Sequence, residues 1–161
     1  YVASNPGVAD DPLGFTFIDD KQRLARDLLE VRFMIEPQMA RMAAEHATND
    51  QVVCIEELCD ESERLAEAGE DYSAADTAFH NAIAESSGNL VVPRLMGVLK
   101  ASVPLFIDVT GKKLVEETIR THRDVADAIA SRNPTAAHDA MYLHLVYNRN
   151  MIAEGAEAKG I

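Results

Sequence analysis

The segment Tyr72-Ser73-Ala74-Ala75-Asp76-Thr77-Ala78-Phe79-His80-Asn81-Ala82-Ile83-Ala84-Glu85-Ser86-Ser87-Gly88-Asn89 decides how the chain is read. Its spacing predicts a helix over roughly 72–87, closed at Gly88, which enters the left-handed C-cap conformation without steric cost. Asp76 and His80 are four apart and stack on one helix face, about 6 Å from each other. Ile83 and Tyr72 continue that face, so the acid and the imidazole point inward. A carboxylate buried alone costs several kcal/mol or takes up a proton, so Asp76 wants a cation nearby.

Helical periodicity extends in both directions from this segment, with few strand-like alternations. Upstream, residues 1–20 are rich in Gly, Pro and Asp and read as a tail or linker. A first helix should start at Asp19 or Asp20, which can cap it, with an apolar stripe of Leu24, Leu28, Val31, Ile35, Met39, Met42 and Ala43. Pro37 lies inside it and predicts a kink near Phe33–Glu36. Thr48, Asn49 and Asp50 end that helix and cap a second, which carries Val52, Val53, Ile55, Leu58 and Leu65 as far as Gly69.

Downstream, Asn89 opens a fourth helix, and Pro93 is tolerable in its first turn. Pro104 and Gly111 disturb the far end of that segment. A fifth helix is expected over about 112–132. Asn133 caps a sixth, with Pro134 at its first position, running to about Ala153. The last residues, 156–161, read as a frayed tail. Long amphipathic helices with short connections predict an all-α fold, an antiparallel bundle of six to seven helices with a kinked first helix.

Two more histidines share the inward pattern. His122 lies on a stripe with Val115, Ile119, Ala126 and Ile129; His144 lines up with Ala137, Met141, Leu145 and Met151. Asp76, His80, His122 and His144 thus converge from three helices, and a bundle interior is a usual place for a metal. Core histidines bonded to carbonyls, with Asp76 and His80 as a simple helical pair, fit the same spacing, so both readings stay open. His46 and His138 lie near helix ends on polar faces and read as solvated.

Composition sets the outer limits. The 161 residues carry 15 Lys+Arg against 27 Asp+Glu, a net charge of −12, and 47% are apolar. That is enough for one domain with a substantial core. Cys54 and Cys59 fall about 140° apart around a helix and form no CxxC pair, which favours a reducing, cytoplasmic setting. No apolar run approaches a membrane span and no signal peptide opens the sequence. The negative charge repels phosphate backbones, so these residues should not bind nucleic acid by themselves.

The ordered motifs resemble one family. Asp76-Thr77-Ala78-Phe79-His80-Asn81-Ala82-Ile83 with Ser87-Gly88-Asn89 is similar to the core motif of the effector-binding C-terminal (FCD) domain of FadR-type GntR transcription regulators. Arg32 to Glu36-Pro37 resembles the R-x-x-x-E-P of its first helix, followed by Ala43-Ala44 and Ala47-Thr48. His122-x-x-Val125-x-x-Ala128-Ile129, Asn133-Pro134-x-Ala136-Ala137 and Ala140-Met141-x-x-His144-Leu145 follow in order. The similarity covers roughly residues 24–152. Tyr1-Val2-Ala3-Ser4 resembles the end of the wing strand of the family's winged helix. Residues 1–20 are then a remnant of that strand plus linker, and 21–155 the metal- and effector-binding domain.

The resemblance implies a divalent metal held by Asp76, His80, His122 and His144, the residue types of the family's metal-binding branch. Three imidazoles and a carboxylate suit Zn²⁺ first, with Ni²⁺, Mn²⁺ or Fe²⁺ as other occupants. It also implies a small carboxylate effector at the metal's open positions. Arg32 would clamp it through its planar fork or else pair with Glu36, and Asn89 would line the pocket or else cap a helix. A homodimer is expected, with DNA bound only through an N-terminal winged-helix domain. Local positive charge must then overcome the net repulsion of an anion, which screening weakens beyond about 8 Å.

Two other classes compete with this ligand-sensing, non-enzymatic reading. A metal-dependent hydrolase would use an open metal position to activate water, and His138-Asp139 invites comparison with helical HD-type phosphohydrolases. That family's further His and Asp have no counterpart in register with the pair, and no general base stands out. A structural helical domain without metal is the other alternative.

Overall fold

The computed structural model describes residues 14–99 and 115–158. After a single 3-10 turn at Phe15–Phe17, six α-helices follow among the described residues. They are α1 (Lys21–His46), α2 (Asn49–Glu67), α3 (Ser73–Ser86), α4 (Val92–Leu99), α5 (Val115–Ala130) and α6 (Pro134–Ala158). The fold is all-α, as expected. The suggested wing remnant at Tyr1–Ser4, Pro104 and Gly111 fall outside the described residues. The last helix reaches Ala158, past the expected end near Ala153.

Local chemistry explains the boundaries. Asp20 accepts from the Arg23 amide at 2.9 Å and starts α1. Thr48 and Gln51 form a reciprocal capping box on α2, with bonds of 3.2 and 2.9 Å, and Thr48 itself ends the preceding connection. Gly69, at φ 70°, closes α2 with the paired carbonyl bonds of a Schellman turn, Glu70 to Leu65 and Gly69 to Ala66. Arg132 closes α5 in the same way at φ 55°, a strained value for a side-chain-bearing residue. Its guanidinium compensates by donating to the Ala47 carbonyl and to Asn49 Oδ1, tying the α5–α6 turn to the α1–α2 turn. Asn133 then caps α6 by accepting from the Ala136 amide at 3.1 Å.

α1 packs most extensively along α6, and α5 fits between α6 and α2. Phe33 and Tyr142 meet edge-on at 5.1 Å across the α1–α6 seam. Ala40, Ala43, Ala44 and Ala47 let α1 approach its neighbours closely, around a core built on Phe79, Met39, Ile55, Ile83, Ile129 and Met141. Pro37 lies inside α1, where the kink is expected, and the helix continues through it.

One expected stripe is misplaced. The first helix does not turn Val31 inward: Val31 is 37% exposed, whereas Arg32 is 3% and Glu36 0% exposed. Helix α1 is therefore rotated so that an ion pair sits on its buried face. On α2, Val53 is likewise outside and Ile55 and Cys59 are inside. Among the described residues no helix is long and apolar enough to cross a membrane.

Candidate metal centre

Three helices converge on one buried point. Helix α3 brings Asp76 and His80, α5 brings His122 and α6 brings His144, all buried. One nitrogen from each of the three imidazoles lies within 4.8 Å of the others. The ring centroids are 5.3 Å apart for His80–His122 and His80–His144, and 4.6 Å for His122–His144. Phe79 forms the floor, with its ring 4.6 Å from that of His122. Asp76 stands at the edge, its Oδ1 3.4 Å from His122 Nε2, beside the imidazole trio rather than within it.

The hydrogen bonding of this cluster is incomplete. Both ring nitrogens of His80 and both of His122 are buried and have no aligned partner. An unmet buried polar atom costs about 1–3 kcal/mol, and native interiors carry few of them. The donor set fits a divalent cation, since neutral imidazoles present lone pairs and the shared space lies between them. His144 differs from the other two. Its Nδ1 is 3.0 Å from Thr121 Oγ1 and its Nε2 3.2 Å from Asn148 Nδ2.

Behind the trio lies the ion pair of α1. Arg32 Nε and Nη2 donate to the two Glu36 oxygens at 2.5 and 3.1 Å. Glu36 Oε2 also lies 3.1 Å from His80 Nδ1, close enough for strong attraction but not aligned as a hydrogen bond. Burial pushes the Glu36 carboxyl up, but Arg32 and His80 outweigh it and hold the group far below the usual carboxylate range. Asp76 moves the other way: burial raises it, and His80 and Arg32 only partly offset that. Burial lowers His122 and His144 well below the ordinary histidine value, and the buried Arg32 guanidinium nearby adds to it. Both rings are therefore neutral at physiological pH, the state in which imidazole binds metals.

The sequence-derived site residues divide into two groups. Asp76, His80, His122 and His144 come together, and Arg32 lies beside them paired with Glu36. Asn89 serves as a cap: its Oδ1 accepts from the amides of Val91 and Val92 at 2.8 and 3.3 Å. It is exposed and lines an open depression with Glu85, Gly88, Leu90, Pro93 and Arg94, a set containing none of the histidines. His46 and His138 are at the surface, and His138 Nδ1 meets Asp139 Oδ1 at 2.9 Å there, apart from the trio. Glu36, Thr121 and Asn148 were not singled out by spacing. Glu36 was visible as the acid of R-x-x-x-E-P, but nothing in one helix's sequence reveals that His80 of another lies against it.

The chain is similar to known transcription regulators. The FCD domain family matches residues 27–147. A solved Streptococcus agalactiae GntR structure is 36% identical, with a TM-score of 0.79, over 93% of this chain and 70% of that one. The galactonate operon transcriptional repressor of Escherichia coli K12 is 29% identical over 125 residues, 76% of this chain and 55% of the relative. The HTH-type transcriptional repressor NanR of Salmonella newport is 26% identical over 151 residues, 83% of this chain and 57% of the relative. These relatives are transcription regulators rather than enzymes. The chain spans little more than half the length of the curated relatives it matches.

Proposed function

Because this chain belongs to the FCD domain family, we propose that it senses a small carboxylate at a buried divalent metal and transmits the bound state to an N-terminal winged-helix DNA-binding domain. One observation carries the metal reading: three buried imidazoles offer donor nitrogens within 4.8 Å of each other, and four of their ring nitrogens have no aligned protein partner. Asp76, His80, His122 and His144 would hold the ion. Zn²⁺ suits this set best, with Ni²⁺, Mn²⁺ and Fe²⁺ as alternatives. The ion would supply a positive centre for an effector oxygen.

The chain's own residues provide the rest. Glu36 attracts the Nδ1 side of His80 and so restrains that ring, as a carboxylate commonly does behind a ligating histidine. Arg32 offsets the Glu36 charge beside the centre, so the ion itself would supply the positive potential that an anion approaching a chain of net charge −12 requires. In this reading Arg32 acts through Glu36 rather than as a clamp on the effector, and Asn89 enters only as the cap that fixes the start of α4. One relative is named for the galactonate operon, and galactonate is a small carboxylate, which supports the effector class. The intact regulator is proposed to act as a homodimer in which effector binding favours one placement of the DNA-binding domains, through its differential affinity for the two.

The test is calorimetric titration of the zinc-loaded chain with hydroxy, keto and sugar acids, alongside metal analysis of protein purified without added metal. Saturable binding that disappears on chelation is expected. Protein that retains no metal, gains no stability from any of the four ions and binds no acid would sink the reading.

A further inference from the structure

Within the metal-centre reading, on which this inference rests, His144 is the one imidazole of the trio whose two nitrogens both have side-chain partners. The geometry points to Thr121 as the residue that fixes His144 in its Nδ1–H tautomer, leaving Nε2 as the nitrogen offered to a metal, with the Asn148 amide holding that nitrogen until the metal takes it.

A proton count carries the argument. The Thr121 hydroxyl has a single proton and three neighbours: the Glu117 carbonyl at 2.7 Å, the Thr118 carbonyl at 3.3 Å and His144 Nδ1 at 3.0 Å. Carbonyls only accept, and donation to the residue four back is a habitual threonine bond within a helix. The proton therefore goes to Glu117, and toward the imidazole the oxygen is an acceptor. Nδ1 must then carry the ring proton. A neutral imidazole has one N–H, so Nε2 holds the lone pair. The Asn148 amide nitrogen, 3.2 Å away, fits that assignment because it can only donate.

The consequence for ligation is direct. A metal needs a lone pair, and in this tautomer His144 has it only at Nε2. Asn148 is half-buried and four residues on along the same helix, so its amide can rotate toward water without being stranded. Thr121, by contrast, is 1% exposed and anchored to its own helix, so it keeps the ring in place with or without an ion. Thr121 is thus a positioning residue, and Asn148 a competitor for the ligating atom.

The experiment uses the 161-residue chain labelled with ¹⁵N-histidine, stripped with a chelator, and read by long-range ¹H–¹⁵N NMR at neutral pH. In the wild type and in Thr121→Ser the His144 proton is expected on Nδ1; in Thr121→Val that preference is lost. Zinc affinity from competition titration should fall about 10–100-fold in Thr121→Val, as for other residues behind a ligand. It should be preserved in Thr121→Ser and rise about 2- to 10-fold in Asn148→Ala, which removes one competing hydrogen bond. A wild-type His144 protonated on Nε2, an unchanged tautomer in Thr121→Val, or weaker zinc binding in Asn148→Ala would overturn the inference. Should Thr121→Val fail to fold, the wild-type spectrum and Thr121→Ser still decide it. Absence of zinc binding by the wild type would instead overturn the metal centre, a result separate from the tautomer seen in the stripped protein.

Discussion

Glu36 Oε2 lies 3.1 Å from His80 Nδ1 while both Glu36 oxygens are held by Arg32, so a chain of three buried polar groups joins α1 to the histidine trio. Each group depends on the others for its solvation.

Glu36→Gln keeps the shape of the side chain, removes its charge and takes from buried Arg32 the carboxylate to which its Nε and Nη2 donate. Breaking a buried pair in this way costs about 3–5 kcal/mol. Urea unfolding of the metal-free variant should show that loss, and zinc titration of whatever remains folded should show about 10–100-fold weaker binding. A stability within about 1 kcal/mol of wild type would contradict the assigned role of the pair.

Metal addition is expected to raise the thermal midpoint, because an ion that binds only the folded chain stabilises it by about 2.7 kcal/mol at 100 times its Kd. Chelator should reverse the gain. His122→Ala removes one of the three clustered imidazoles and should abolish the zinc-dependent shift while leaving a helical circular-dichroism spectrum.

Acid should weaken the chelated domain in a defined sense. His122 and His144 have folded values well below their ordinary 6.5, so below that pH the unfolded chain takes up protons that the folded one refuses. Stability is then flat above about pH 6.5 and declines as pH falls below it, by at most about 1.4 kcal/mol per pH unit for each ring. Glu36, also lowered, adds loss in the same sense below its ordinary 4.5. Asp76, raised by burial, opposes it just above its ordinary 3.8. Denaturant midpoints from pH 8 to 5 in chelator check the sign; a midpoint that rises on acidification contradicts it.

Thr48→Ala removes one half of the α2 capping box, remote in role from the histidines. A loss of about 1 kcal/mol with unchanged zinc affinity is expected. Equilibrium unfolding and zinc titration together separate this scaffold effect from those of Glu36 and His122.

Much of this architecture could be read along the chain because its signals are local. Asp20, Thr48, Gly69 and Asn133 mark helix ends through bonds to residues three to five positions away, and Gly88 through its left-handed backbone. The four-residue spacing of Asp76 and His80, and the apolar stripes carrying His122 and His144, correctly turned those side chains inward. Periodicity failed where burial is polar. It placed Val31 inward and missed Arg32 and Glu36, because hydrophobicity ranks a charged pair as surface unless its partner is known. Thr121 and Asn148 owe their importance to His144: one reaches it from another helix and the other from the next turn, and neither carries a pattern of its own.

Pro37, within α1, gives this chain of contacts a mechanical side. Lacking an N–H, it leaves the Phe33 carbonyl of this 26-residue helix without its usual helical partner. Glu36, the α1 carboxylate that touches His80, belongs to the turn between them. The histidine centre thus meets α1 at its proline turn, and an arm from Lys21 to Phe33, about 20 Å long, leads away from it. By geometry, any change of angle at that turn would be magnified along this arm toward the N-terminal end of the domain.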